Sequence, residues 1–227
     1  MCGIIGYIGN RPAKDILLAG LKLLEYRGYD SSGIGVILPK KEKICIKKSP
    51  GKISALEKIL KNCLLTGGTG IAHTRWATHG APTHANAHPH LDCSKRIALV
   101  HNGIIENYEQ LKKQLIKEGH VFESQTDTEV IVHLIEKFYK NISIEEAVCR
   151  ALKLLNGSFA LAVISSCEPN KLIGARSGSP LIIGVGEGEN FIASDVPAVL
   201  GSTKNIIFME EGEVAVLSRD SFKVIDL

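Results

Sequence analysis

The sequence predicts a single α+β domain in which two β-sheets pack face to face and helices cover them from outside. Three observations predict it. From Ser158 onward short apolar runs follow one another, SFALAVISS, KLIGARSG, PLIIGVG, NFIASD, NIIFMEEG and EVAVLS, broken mainly by VPAVLGS. That many strands need two sheets. Upstream of them, strands alternate with long amphipathic helices, each of which needs a sheet face to cover. Finally, 227 residues at 44% hydrophobic can bury a large core as one domain, and no internal repeat, low-complexity tract or linker divides them.

Taken in order, CGIIGYI opens the chain as a buried strand. PAKDILLAGLKLLEYRG reads as a helix that starts near Pro12 and closes at Gly28, a glycine suited to a left-handed C-terminal position. SGIGVIL and KICIKKS read as paired strands, and ISALEKILKNCLL as a second helix ending before the Gly67-Gly68 turn. Within PKKEKICIKKS at 39–49, lysines alternate with Ile44 and Ile46 as on a solvated strand face. GIAHTRWATHG and RIALVHNG each pair a short apolar strand with a polar exit ending in glycine. Between them APTHANAHPHLDCSK is too rich in Pro, His and Asn for regular structure. Strand exits of this kind are where sites are built. ENYEQLKKQLIKEG and TDTEVIVHLIEKFYK read as helices, the second with Thr126 and Glu129 in capping-box spacing. Ser143 and Glu146 repeat that box ahead of EEAVCRALKLLNG.

Composition removes several function classes. The net charge of +3 comes from 27 basic and 24 acidic residues spread along the chain, so neither nucleic acid nor a membrane surface is expected as a partner. No apolar stretch is long enough to span a bilayer, and no basic region precedes the first apolar run, which points to a cytoplasmic protein. The six cysteines form no C-x-x-C pair, which argues against a zinc ribbon, a redox motif or a disulfide scaffold. Six of the eight histidines fall between His73 and His101, yet their spacing matches neither a helical H-x-x-x-H pair nor a zinc finger, so no metal is expected. No phosphate-binding glycine motif is present.

Three pieces carry chemistry. With Met1 removed, Cys2 would hold both a thiol and a free α-amine whose reference pKa of about 7.7–8.0 makes it a usable base. Nucleophile and base would share one residue, as in the threonine/N-terminal-amine pair. The alternative is a buried strand cysteine. Asn102 and Gly103, leaving the strand RIALV, offer a side-chain amide and an exposed backbone N–H, the two donors an oxyanion needs, though Asn-Gly is also a common turn. Arg75 and Asp127 suit the carboxylate and the ammonium of a free α-amino acid; a surface ion pair and a helix first-turn aspartate are the plainer readings.

Together these motifs resemble the N-terminal glutaminase domain of the glutamine:fructose-6-phosphate aminotransferase family, among the N-terminal-nucleophile amidotransferases. The match runs in order through CGIIG at 2–6, LEYRGYDSSG at 24–33, HTRWATHG at 73–80, NAHPH at 86–90, HNGIIEN at 101–107, TDTEV at 126–130 and RSGSPLIIG at 176–184. The resemblance implies a four-layer αββα sandwich of the N-terminal-nucleophile hydrolase type, spanning 2–227. It implies hydrolysis of L-glutamine through a thioester on Cys2, with Asn102 and Gly103 as oxyanion hole, Arg75 on the substrate carboxylate and Asp127 on its ammonium. Thr78 and His79 would line the pocket, and Trp76 would gate ammonia transfer, unless it is simply a core aromatic. No cofactor is implied. The full-length enzymes would be homo-oligomers that carry a sugar-phosphate isomerase domain accepting the ammonia; its absence here suggests an excised domain or a fragment. Two other readings stand beside this one: a related amidotransferase half with another acceptor, such as phosphoribosyl pyrophosphate, and a non-catalytic domain whose histidine-rich loop binds metal or a partner.

Overall fold

The computed structural model describes residues 2–38 and 43–227. The expectations that concern Met1 and the lysine-rich segment 39–42 lie outside them. In chain order the elements are β1 (Gly3–Gly9), α1 (Ala13–Leu23), β2 (Ser31–Leu38), β3 (Lys43–Pro50), α2 (Ile53–Lys61), β4 (Thr69–Arg75), β5 (His90–Leu91) and β6 (Ile97–Ile105). Three helices follow, α3 (Tyr108–Lys117), α4 (Glu129–Phe138) and α5 (Ile144–Leu152). The chain then runs through β7 (Gly157–Ser165), β8 (Leu172–Ser177), β9 (Ile182–Val185), β10 (Glu189–Ala193), β11 (Asn205–Phe208), β12 (Glu213–Leu217) and β13 (Phe222–Asp226).

One sheet has seven strands in the order β11-β9-β10-β1-β4-β2-β3, the other six in the order β13-β12-β8-β7-β6-β5. The period of two along each strand sorts side chains into three apolar layers. Ile4 and Ile8 of β1 point between the sheets, where they meet Ile71 of β4, Ala98 and Val100 of β6 and Ala162 of β7. Their neighbours Ile5 and Tyr7 point the other way, onto Leu17 and Leu21 of α1 and Leu56 and Leu60 of α2. On the far side Ile97 and Leu99 of β6 and Leu161 and Val163 of β7 pack on Val130 and Leu134 of α4 and Ala147 and Val148 of α5. The layers are therefore helix, sheet, sheet, helix, the αββα sandwich expected.

Several local expectations need correction. The first helix stops at Leu23, and Glu25–Arg27 form a separate tight turn. Gly28 is not left-handed: its φ of 178° is extended. What it needs is space, because a Cβ there would lie 2.7 Å from the Arg75 carbonyl carbon and 2.8 Å from the Trp76 nitrogen. The Thr126/Glu129 capping box does not form. α4 begins after Thr128 with no side-chain cap, and the Glu129 carboxylate instead accepts from the backbone N–H groups of Glu123 and Ser124, each at 2.7 Å. Ser143 does cap α5, accepting from Glu146 N. Nor is Lys48 solvated. Its ammonium is folded under the 85–87 turn, donating to Ala87 O at 2.6 Å, and burial lowers its pKa to about 8. β13, which pairs with β12, is a further strand that the apolar pattern does not announce.

Candidate active site

The site is assembled by strand parity at one end of the gap between the sheets. Cys2 has the parity of Ile4 and Ile8 on β1, His73 that of Ile71 on β4, and Asn102 that of Ala98 and Val100 on β6, so all three side chains face the inter-sheet layer. The thiol of Cys2 receives the backbone N–H of Trp76 at 3.2 Å. The Cys2 carbonyl accepts from Arg27 Nε at 2.9 Å and from Asn102 Nδ2 at 3.1 Å. Burial raises the thiol pKa above its ordinary value, with the Trp76 backbone, Arg75 and Arg27 opposing it. The group is a protonated thiol at neutral pH and needs a base before it can attack.

The buried histidines fix the orientation of Asn102. A carbonyl can only accept, so the contact with Cys2 O makes Nδ2 the donor and turns Oδ1 toward His73 Nε2 at 3.0 Å. His73 must then carry its proton on Nε2 and accept on Nδ1 from His88 Nδ1, 3.0 Å away. His88 Nε2 accepts from the Thr128 hydroxyl at 3.0 Å, and that hydroxyl accepts from His101 Nδ1 at 2.9 Å. The chain requires His73 and His88 to be neutral, each with one nitrogen donating and the other accepting, and leaves His101 donating through Nδ1. Burial ensures this: it lowers the pKa of His73 to about 3 and those of His88 and His101 below the usual value. The relay ends at His101 Nε2, which is buried and makes no hydrogen bond among the described residues.

The same parity aims the next backbone groups. Ser166 N donates to Arg96 O and Glu106 N to Asn156 O, which makes the even-numbered residues of β6 the ones bonded to β7. The N–H groups of Gly103 and Ile105 therefore point off the other edge, past the end of β5. Ile105 N–H is taken by Asp127 Oδ2 at 2.9 Å, and Gly103 N–H lies one step nearer Cys2. Gly103 has φ of 126°, and a Cβ on it would lie 2.0 Å from Ser158 O, so no side chain fits.

Cys2, Arg27, Trp76, Thr78, Asn102 and Gly103 line a cleft of about 300 Å³. Cys2, Trp76, Thr78 and Gly103 also border a narrower inner cavity that Arg75, His101, Asp127 and Thr128 close. Arg75 is buried, and its guanidinium donates to the carbonyls of His79, Gly80 and Ala81. Trp76 is 47% exposed with Tyr29 edge-on at 5.6 Å, so it is no core aromatic. His79 does not line either cavity: its ring packs against Tyr108, and its Nδ1 lies 4.0 Å from Asp127 Oδ1. Sequence reasoning missed Arg27, which also pairs with Asp195 at 2.9 Å, and Asp30, which accepts from Ala77 N at 2.8 Å and anchors the strand exit after Trp76. Both lie inside LEYRGYDSSG at 24–33, one of the stretches that carry the family resemblance, which marks the segment without singling out these two side chains.

Comparison with known proteins agrees with this geometry. The family model described as "Glutamine amidotransferase domain" matches residues 73–201, more than half the chain. The glutamine–fructose-6-phosphate aminotransferase (isomerizing) of Thermococcus kodakarensis is 54% identical over 99% of this chain and 37% of its own length. Its counterpart from Pyrococcus horikoshii is 53% identical over 100% and 38%. The chain thus spans less than two fifths of the curated relatives it matches. Among solved structures, the glutamine phosphoribosylpyrophosphate amidotransferase of B. subtilis superposes with a TM-score of 0.85 at 28% identity, covering 99% of this chain and 49% of that one. A structure titled as the allosteric regulatory enzyme of purine biosynthesis gives 0.87 at 29%, with the same coverage.

Proposed function

The chain belongs to the glutamine amidotransferase domain family, and from that premise we propose that it hydrolyses the side-chain amide of L-glutamine to glutamate and ammonia through a γ-glutamyl thioester on Cys2. The observation that supports this best is the Cys2–Asn102 pair: an otherwise mobile amide is locked by three neutral histidines so that its donor faces the residue bearing the thiol.

After loss of Met1, the α-amine of Cys2 accepts the thiol proton and sulfur adds to the amide carbon of glutamine. The negative charge passes to the former carbonyl oxygen, which takes the second Asn102 amide hydrogen and the Gly103 N–H. Collapse breaks the C–N bond; the amine returns its proton to the leaving nitrogen, and ammonia departs. Water, deprotonated by the same amine, then adds to the thioester and expels the thiolate, which is reprotonated as glutamate leaves. Arg75 holds the α-carboxylate and Asp127 the α-ammonium, with His101 Nε2 a further acceptor beside it. The inner cavity, about 10 Å³, admits the centre of roughly one water. The substrate head therefore enters as the turn carrying the carbonyls of 79–81 moves off Arg75. Thr78 lines the cleft and His79 steadies Asp127 from outside, while Trp76, exposed at the mouth, covers the route by which ammonia leaves.

In the full-length protein we assign the ammonia to conversion of fructose 6-phosphate to glucosamine 6-phosphate in a following isomerase domain of a homo-oligomeric enzyme. The naming of relatives above 50% identity favours this over a phosphoribosyl pyrophosphate acceptor. A cytoplasmic setting is supported by six free thiols. The test is ammonia release from glutamine by the chain and by Cys2→Ala: the reading expects the variant to be inactive with its fold intact, and hydrolysis at the parent rate would overturn it.

A further inference from the structure

Outside the cleft, four side chains that line neither it nor the inner cavity converge. Cys93 follows β5, His120 follows α3, and His133 and Glu136 sit at i and i+3 on α4. Their ligand atoms all lie within 4.8 Å of one another. Cys93 Sγ is 3.8 Å from His120 Nδ1 and 3.6 Å from His133 Nδ1, and Glu136 Oε2 is 2.9 Å from His120 Nδ1 and 3.2 Å from His133 Nδ1. We infer that Cys93, His120, His133 and Glu136 form a structural zinc(II) site.

The four separations of 2.9–3.8 Å bracket those the metal needs. Zinc bonds of about 2.3 Å to sulfur and 2.0–2.1 Å to nitrogen, set at the tetrahedral angle, place ligand atoms about 3.3–3.6 Å apart. One thiolate, two imidazoles and one carboxylate complete a closed four-coordinate shell of the ligand types zinc prefers, and the two anionic ligands cancel its charge. Two further observations point to a ligand rather than to chance proximity. Val121 N–H is directed at Cys93 Sγ, 3.4 Å away, as an amide supports a metal-bound thiolate. His133 Nε2 is buried, makes no hydrogen bond among the described residues, and faces Glu129 Oε1 at 3.7 Å. A metal on Nδ1 fixes the remaining proton on Nε2, toward Glu129, the outer carboxylate that metal-bound histidines characteristically have. Glu129 is itself held by the N–H groups of Glu123 and Ser124 and by the Ser124 hydroxyl.

The site would tie the turn after β5, the segment after α3 and the body of α4 into one unit. α4 is the helix that Asp127 and Thr128 immediately precede. Zinc would thus stiffen the wall of the inner cavity from behind without touching substrate.

The experiment is reconstitution of the chelator-stripped chain with zinc, read by elemental mass spectrometry and by thermal melting. One zinc per chain is expected, with Tm raised by about 5–10 °C when zinc exceeds its dissociation constant a hundredfold. Cys2→Ala should bind as the parent does, which separates this site from the cleft thiol. Cys93→Ala, at an exposed position, should fold as judged by circular dichroism and lose both the bound zinc and the Tm increment. Cobalt(II) in place of zinc should give the intense visible bands of a four-coordinate centre and a thiolate charge-transfer band that Cys93→Ala abolishes. No zinc above trace in the folded parent would overturn the proposal and leave the cluster a hydrogen-bonded network of neutral and charged side chains. Zinc and the charge-transfer band persisting in Cys93→Ala would overturn it too.

Discussion

Asn102→Ala separates the catalytic from the structural work of one side chain. In the folded protein Asn102 makes two hydrogen bonds, from its Nδ2 to Cys2 O and to its Oδ1 from His73 Nε2. Truncation leaves Cys2 O still satisfied by Arg27 Nε, but it orphans the His73 N–H in a fully buried position. An unsatisfied buried donor costs about 1–3 kcal/mol, which for a domain of this size lowers Tm by roughly 2–12 °C. Loss of one oxyanion donor costs a further, separate factor of about 10²–10³ in kcat. Because the oxyanion exists only after attack, KM for glutamine should stay within about threefold. The assay is glutamate formation at saturating glutamine, well below the variant's Tm, with the melt recorded in parallel. A kcat within threefold of the parent, in a variant showing the expected drop in Tm, would refute the oxyanion role while leaving the relay geometry standing.

Other expectations follow from the same contacts. Asp127→Asn keeps an oxygen for Ile105 N–H but loses the charge facing the substrate ammonium, so KM should rise about 10- to 150-fold with kcat nearly unchanged, as steady-state kinetics would show. Gly28→Ala drives a methyl into the Arg75–Trp76 backbone, displacing the N–H that holds Cys2 Sγ; kcat/KM should fall about 10²-fold and stability by about 1–3 kcal/mol in urea titration. Acidification should destabilise the protein. Burial holds His73 near pKa 3 and His88, His90 and His101 below their ordinary value, so below about pH 6.5 the unfolded chain takes up protons the folded one refuses. Stability then falls with pH by about 1.4 kcal/mol per unit for each histidine that is protonated in the unfolded chain and still neutral in the folded one, for His73 down toward pH 3. In the metal-free chain His133 opposes this, since Glu129 and Glu136 outweigh its burial and raise its pKa. Urea midpoints equal at pH 7 and pH 5 would contradict the neutral relay.

What the sequence made legible was whatever period and punctuation encode. The apolar alternation of CGIIGYI and RIALV and the amphipathic helices announce the layers, and the long polar motifs single out Cys2, Arg75, Asn102, Gly103 and Asp127, which the fold gathers around two adjoining cavities. What it hid depends on contacts between distant segments. The Thr126/Glu129 spacing reads as a cap, yet Glu129 is recruited backwards by the amides of 123 and 124, which leaves Thr126 to bond Ser124 and His90. Lys48 looks solvated from its neighbours, but the 85–87 turn folds over it. Gly28 reads as a helix stop because nothing local announces that the β4 exit passes against it. The histidine-rich stretch invites a metal site that its spacing does not support, and the fold uses it otherwise. Three of its histidines, His73, His88 and His101, are spent on orienting Asn102, whereas the candidate zinc ligands His120 and His133 come from outside it and meet Cys93 only in three dimensions.

The most direct test of the central claim is intact mass before and after treatment with a diazoketone analogue of glutamine, with peptide mapping of the adduct. The account predicts a chain lacking Met1 that gains one adduct, located on Cys2 and suppressed by excess glutamine. A chain lacking Met1 that forms no adduct on Cys2, though the reagent is active, would return that residue to the role of an ordinary strand cysteine.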